Sequence, residues 1–310
     1  MRVVFMGTPD FSVPTLQSLI DEKYDVVGVV TQPDKPKGRG RTMQFTPVKE
    51  LAVKYSIPVL QPVKLKNDDV FFEELKALKP DVIVVIAFGQ ILPDRVLELP
   101  KYGCINIHAS LLPKYRGAAP IQWAILNGEK ETGVTTMMMD SGLDTGDMIL
   151  RKVIPIEEKE TGGSLFDKLA YAGGDLIIET LKQAEAGTLK RIPQNNDESN
   201  YVSIIKKEYG RMDFTKSALE LERLIRGLNP WPSAFTSLHG KTLKVWDADV
   251  VETVSEEKPG TILSVDKDSF TVMTGEGALK ILELQLEGKK RMMTEAFLRG
   301  YKLETGEMLG

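Results

Sequence analysis

A mostly parallel α/β sheet followed by a smaller β-rich domain is the fold class this sequence predicts. Three observations predict it. Apolar, β-branched runs alternate with helix-periodic segments through the first two thirds of the chain. A polar stretch, 193–200, interrupts that pattern. After Trp231 the repeat shortens to strands of a few residues separated by glycine-bearing turns. A length of 310 residues exceeds what one compact core usually serves, which agrees with two domains.

Taken in order, Arg2–Met6 is a short apolar strand ending at Gly7-Thr8-Pro9-Asp10. A helix follows from Pro14 to Glu22, with Ser12 as its cap and Leu16, Leu19 and Ile20 as its apolar face. The glycine turn is no G-x-G-x-x-G, and Pro9 lacks the amide that phosphate cradling needs, so it reads as a strand-to-helix turn. Asp25–Thr31 is a Val-rich strand, 47–55 a helix, 58–60 a short strand, 71–78 a helix and 81–87 a continuous apolar strand. Strands apolar on both faces belong to a parallel sheet covered on both sides. Strands at 133–139 and 148–156 follow, then a helix over 163–185 interrupted at Gly173-Gly174. The polar stretch places a linker at 191–203. Beyond it come a helix at 216–227, the Asn229-Pro230-Trp231-Pro232 segment, and strands at 234–238, 243–245, 261–265, 270–273 and 279–286. That spacing predicts a small barrel or sandwich. His239 lies in one of its turns and is expected to be exposed and idle.

Bulk composition narrows the function. Hydrophobic residues are 42% and charged residues 27%, ordinary for a globular protein, and a net charge of −4 gives no general pull toward nucleic acid. The one cysteine, Cys104, excludes an internal disulfide and a cysteine-rich zinc site, and reads as packing. The N-terminus lacks a signal-peptide pattern, and the longest apolar run, 82–88, is too short to cross a bilayer, so a cytoplasmic protein is expected.

Chemistry concentrates in 103–120. Side chains two apart on a strand share a face, so Ile105 and Ile107 point one way and Asn106 and His108 the other. An amide donor beside an imidazole, followed by a Pro- and Gly-rich loop at a strand end, suits chemistry on a carbonyl: one binds an oxyanion and the other moves a proton. Downstream, 140–147 carries three acids and two glycines, but not in EF-hand order, and no metal is expected. Asp144 or Asp147 is the candidate to orient His108. Gln32–Arg41 has no hydrophobic period but carries Lys35, Lys37, Arg39 and Arg41; it reads either as a solvated loop or as a phosphate-backbone contact.

Two segments, Asn106–Ile121 and Gly142–Asp147, resemble the folate-dependent formyltransferase family. The resemblance runs nearly end to end. It implies a Rossmann-like formyltransferase domain over 1–190, the linker at 191–203 and an OB-like, tRNA-binding β-barrel domain over 204–310. It implies formyl transfer from 10-formyltetrahydrofolate, with no metal, and aligns Asn106, His108 and Asp144 with the catalytic trio. Ser110, Leu111, Leu112 and Pro113 align with the folate-contacting segment, and Ala87, Phe88, Gly89, Gln90, Ile91 and Leu92 with the loop lining the pteridine pocket. The usual glycine after the catalytic histidine is Ala109 here. The basic stretch 31–41, the Asn229–Pro232 segment with the β-rich tail, and Lys206-Lys207 resemble the branch that acts on initiator methionyl-tRNA. Lys35, Lys37, Arg39, Arg41, Lys206 and Lys207 are then the expected tRNA contacts, and a monomer without membrane contact the expected state. Acceptors of another kind, a nucleotide sugar or glycinamide ribonucleotide, or water in a hydrolytic module, are the competing readings.

Overall fold

In a computed structural model that describes residues 1–37 and 42–310, the chain divides into two compact units. The first comprises 1–120, 131–155 and 166–202; the second comprises 121–130, 156–165 and 203–310.

The elements, in order, are β1 (Arg2–Gly7), α1 (Val13–Asp21), β2 (Asp25–Val30), β3 (Lys35–Lys37), β4 (Thr42–Gln44), α2 (Pro47–Lys54), β5 (Val59–Leu60), α3 (Asp69–Ala77), β6 (Val82–Ile86), α4 (Asp94–Leu97) and β7 (Cys104–His108). There follow β8 (Arg116–Gly117), α5 (Pro120–Leu126), β9 (Glu131–Met138), β10 (Met148–Pro155), α6 (Gly162–Glu185) and β11 (Tyr201–Val202). The remainder is α7 (Ala218–Gly227), β12 (Ala234–Leu238), β13 (Lys241–Val251), β14 (Ile262–Val265), β15 (Phe270–Met273), β16 (Ala278–Leu286), β17 (Met292–Met293) and α8 (Thr294–Leu298).

The first unit is built on a seven-stranded sheet of order β10-β9-β7-β6-β1-β2-β5. Five neighbours, β7, β6, β1, β2 and β5, run parallel, and β9 and β10 add an antiparallel edge. Val3, Val4, Phe5 and Met6 are fully buried, as are Ile83 and Val84, which is what covers both faces. Helix starts follow local chemistry. Thr46 accepts from Lys49 N (3.3 Å) ahead of Pro47, and Asp68 accepts from Phe71 N (3.0 Å). Ser12 departs from its expected role: its hydroxyl does not cap α1 but donates to Ile86 O (2.9 Å), tying the helix start to the end of β6.

Helix α6 is continuous through Gly173-Gly174, where an interruption was expected. A Cβ at 173 would stand 3.0 Å from Ile107 Cγ2, and one at 174 would stand 2.6 Å from Ser18 Oγ. The glycines let α6 lie close against β7 and α1, so packing overrides their weak helix propensity. The described residues on either side of 38–41 also differ from the loop expected: β3 and β4 pair antiparallel, with Lys35 opposite Gln44. The base of this pair is tied down where Lys49 Nζ meets Asp34 Oδ2 (2.5 Å) and Gln61 Nε2 donates to Asp34 Oδ1 (2.9 Å). The Lys49 bond holds the Asp34 carboxyl below its usual range.

Cys104 is 1% exposed on β7, its thiol aimed at Val96 O (3.5 Å). Burial disfavours the thiolate and pushes the thiol up to about 12. The native chain should therefore leave a thiol reagent at pH 8 unreacted and release one equivalent only after denaturation; rapid native labelling would contradict the packing role.

The second unit carries a six-stranded antiparallel sheet, β12-β13-β16-β15-β14 with β17 on β16. Helix α7 opens with a full capping box, Ser217 Oγ accepting from Glu220 N and Glu220 Oε2 accepting from Ser217 N, and buries Leu221 and Ile225 in a core with Phe270 and Leu284. His239 is half exposed but not idle. Its Nδ1 lies 2.9 Å from Tyr301 Oη and its Nε2 2.9 Å from Glu307 Oε2, so the β12–β13 turn is fastened to the chain beyond α8. Among the described residues no helix is long and apolar enough to cross a membrane.

Candidate active site

Strands β1, β2, β6 and β7 run parallel, so their carboxyl ends open on one edge of the sheet, the position where open α/β sheets take ligands. Asn106 and His108 leave β7 at that edge, opposite Met137 and Thr135 of β9. Both are nearly buried, 9% and 7% exposed. Among the described residues the Asn106 amide has no hydrogen-bond partner, which leaves its donors for a bound molecule.

The imidazole is held asymmetrically. His108 Nε2 lies 2.8 Å from Tyr115 O, and a carbonyl only accepts, so Nε2 carries a hydrogen. Nδ1 is then the nitrogen that carries the lone pair when the ring is neutral. It stands 3.7 Å from Asp144 Oδ2, within ion-pair reach but beyond a hydrogen bond. Asp144 also accepts from Gly117 N (2.8 Å). Of the two acids that could meet the imidazole, Asp144 does; Asp147 gives its carbonyl to Met138 N (2.8 Å).

The loop between these groups is pinned from several sides. Thr135 Oγ1 donates to Ser110 O (2.7 Å) and accepts from Leu112 N (3.2 Å), while Ser110 Oγ donates to Lys114 O (2.7 Å). Tyr115 and Asp144 both sit at positive φ, 60° and 56°, conformations that persist only where surrounding bonds over-determine them. Gly117, at φ 96°, lies so close to β11 that a Cβ would stand 2.6 Å from Val202 O.

Residues 1–181 match the family described as formyl transferase, and 204–302 match its C-terminal domain. The chain is 56% identical to the methionyl-tRNA formyltransferase of Lachnospira eligens, over 100% of both chains. It is 57% identical to that of Agathobacter rectalis, over 99% of this chain and 98% of the relative. The chain belongs to the methionyl-tRNA formyltransferase family. Its fold is shared by an N-formyltransferase from Helicobacter canadensis solved with folinic acid and dTDP-3-aminofucose, at TM-score 0.69 and 22% identity, over 94% of this chain and 99% of that one.

In this member of the methionyl-tRNA formyltransferase family the remaining expected site residues divide by place. At the open edge, Ala87 and Gly89 are exposed and at positive φ, Ile91 is 76% exposed, and Gln90 Oε1 accepts from Leu65 N (3.1 Å). Phe88 and Leu92 turn into the core instead, while Phe88 O accepts from Gln32 Nε2 (3.2 Å). Ser110 and Pro113 are buried, Leu111 is half-buried, and Leu112 packs with Met137 and Met148. Lys35 is exposed on β3, and Lys206 and Lys207 are exposed in the second unit. Lys37 lies on β3, and Arg39 and Arg41 lie outside the described residues. Among the described residues no three His, Cys, Asp or Glu side chains are grouped to hold a metal ion.

Sequence reading missed Tyr115, Gly117 and Thr135, and it missed Gln194 and Asn200 altogether. Asn200 Oδ1 accepts from Tyr115 N (2.6 Å), and Gln194 Nε2 donates to Asp144 O (2.9 Å) and Gly146 O (2.7 Å). Tyr115 and Gly117 act through their own main-chain groups, while Thr135, Gln194 and Asn200 bond main-chain groups of residues distant in the chain, for which a sequence carries no signal.

Proposed function

We propose that this chain transfers the formyl group of 10-formyltetrahydrofolate to the α-amino group of methionine on initiator methionyl-tRNA. The observation that carries the reading is an Asn106 amide without a partner among the described residues, beside a His108 whose Nε2 is anchored on Tyr115 O and whose Nδ1 lies 3.7 Å from Asp144 Oδ2. The full-length relatives named methionyl-tRNA formyltransferase support the acceptor. The division of labour we infer is a catalytic domain over 1–190, a linker over 191–203 whose residues 194–202 pack within the first unit, and an OB-like, tRNA-binding domain over 204–310, working in the cytoplasm as a monomer.

The open edge, with Ala87, Gly89 and Ile91 exposed, fits a flat ring system carrying a one-carbon group. Bound there, the folate supplies an electrophilic formyl carbon and a nitrogen leaving group. Asn106 donates to the formyl oxygen as negative charge grows on it when the amine attacks. An α-amino group titrates near pH ~8, so much of it is already neutral and nucleophilic at cellular pH. His108 Nδ1 takes the remaining amine proton and returns it to the departing folate nitrogen, so protons balance across the transfer. Asp144 stabilises the imidazolium that exists between the two steps. Ser110, Leu111, Leu112 and Pro113 shape the loop that borders the folate, and Lys35, Lys37, Arg39, Arg41, Lys206 and Lys207 meet tRNA phosphates.

The test supplies 10-formyltetrahydrofolate with charged initiator and elongator tRNAs. Formylation of the initiator alone is expected. Formate release without a formylated product, or preference for an amino sugar, would overturn the acceptor. Alanine at Lys207 together with Arg39 should weaken tRNA binding and flatten its salt dependence by roughly one to two counterions in slope. An equal loss with a bare methionine amide would point to misfolding instead.

A further inference from the structure

Residues 194–202 lie far from β7 in the chain yet hold both groups that hold His108. Strand β11 pairs with β8, Arg116 N donates to Asn200 O (2.9 Å), and Ala118 N donates to Val202 O (3.0 Å). Asn200 fixes Tyr115 from the amide side, while Tyr115 O receives His108 Nε2. The other half of the frame centres on Arg116, which is 2% exposed. Among the described residues its guanidinium has no carboxylate partner. Nε donates to Gln194 Oε1 (2.9 Å), one terminal nitrogen to Asn196 Oδ1 (3.0 Å), and its face lies 5.8 Å from the Tyr201 ring centroid.

That arrangement determines how the Gln194 amide is turned. Its oxygen must face Arg116, because a guanidinium only donates. Its NH2 must therefore point the other way, where it meets two carbonyls, Asp144 O and Gly146 O. The Asp144 turn, at positive φ, is bonded on its main chain by Gln194 and on its carboxylate by Gly117 N. Gly117 is itself one residue from Arg116. Arg116, Gln194, Asp144 and Gly117 so close a ring, and the Asp144 carboxylate on that ring stands over His108 Nδ1.

We propose that Gln194 is a positioning residue for the transfer step: its amide ties buried Arg116 to the Asp144–Gly146 turn and so sets the Asp144 carboxylate against His108. The inference rests on the proposed roles of His108 and Asp144. A group that touches no substrate acts here by holding a charged partner in register, and misplacement of about 1 Å in such a partner costs up to about 10²-fold in rate.

Two substitutions separate positioning from simple stapling. Gln194→Glu keeps an acceptor for Arg116, now as a charge-assisted pair, so the strap stays docked. It removes both donors to the Asp144 and Gly146 carbonyls. Gln194→Ala removes every bond. Positioning predicts that both lower kcat by about 10- to 100-fold, with KM for the folate donor held within about threefold. Both variants should stay folded at the assay temperature, read from their thermal midpoints, although each loses the two bonds to the Asp144 and Gly146 carbonyls. In an Asp144→Asn background the further loss on either substitution should shrink to under about threefold, because a misplaced partner no longer matters. A Gln194→Glu enzyme as fast as wild type, or an equal loss in both backgrounds, overturns the inference while leaving the catalytic trio intact. Should Asp144→Asn alone keep kcat within a few-fold of wild type, the role of Asp144 fails first and the inference falls with it.

Discussion

Replacing His108 with alanine should lower kcat by about 10²–10⁴-fold, the range for removal of a positioned proton carrier. The geometry separates two reasons for that loss. His108 anchors a loop, through Nε2 and Tyr115 O, and in the proposed mechanism it also presents Nδ1 to the reaction. His108→Gln distinguishes them, since a glutamine amide can still donate to the Tyr115 carbonyl but cannot carry a proton at neutral pH. The glutamine variant should melt close to wild type and remain nearly as slow as the alanine variant in single-turnover formylation. Recovery of rate in His108→Gln would reassign the histidine to structure.

Asn106→Ala should lower kcat by about 10²–10³-fold, equivalent to about 3–4 kcal/mol of stabilisation withheld from a developing oxyanion. Little stability should be lost with it. Among the described residues the amide bonds no protein group, so truncation leaves no orphaned partner. Asn106→Asp probes the sign of the effect: a carboxylate where negative charge accumulates should be slower than alanine at pH 7. Measuring kcat and KM separately matters, because a donor used only in the transition state changes kcat and kcat/KM together, while a ground-state folate contact changes KM. A rate within a few-fold of wild type in Asn106→Ala would remove the oxyanion role.

Much of this architecture was legible from residue order. Runs such as 82–86 are apolar throughout because a parallel strand is covered on both faces, and the structure buries all of Val82, Ile83, Val84, Val85 and Ile86. The pairing of Asn106 with His108 needed only the two-residue pleat. Where the reading departed, a distant partner decided the outcome. Ser12 looks like a helix cap and would be one in isolation, but Ile86 O, 74 residues away, takes its hydroxyl. Gly173-Gly174 looks like a break and instead marks where α6 approaches Ile107 and Ser18. His239 looks idle until Tyr301 and Glu307 reach it. The β3–β4 ribbon escapes detection because three-residue strands, Lys-Pro-Lys and Thr-Met-Gln, are too short and hold too few apolar residues to show a period.

Residue order alone therefore determined the sheet, the β-rich second unit and the face that carries the amide and the imidazole, because alternation and periodicity are properties of neighbouring residues. Only the folded chain decided which nitrogen of His108 is tethered, that Asp144 rather than Asp147 faces it, and that Gln194 and Asn200 brace both. Those choices are made where side chains meet backbone carbonyls and amides 7 to 85 residues away, and main-chain atoms are the same at every position of a sequence.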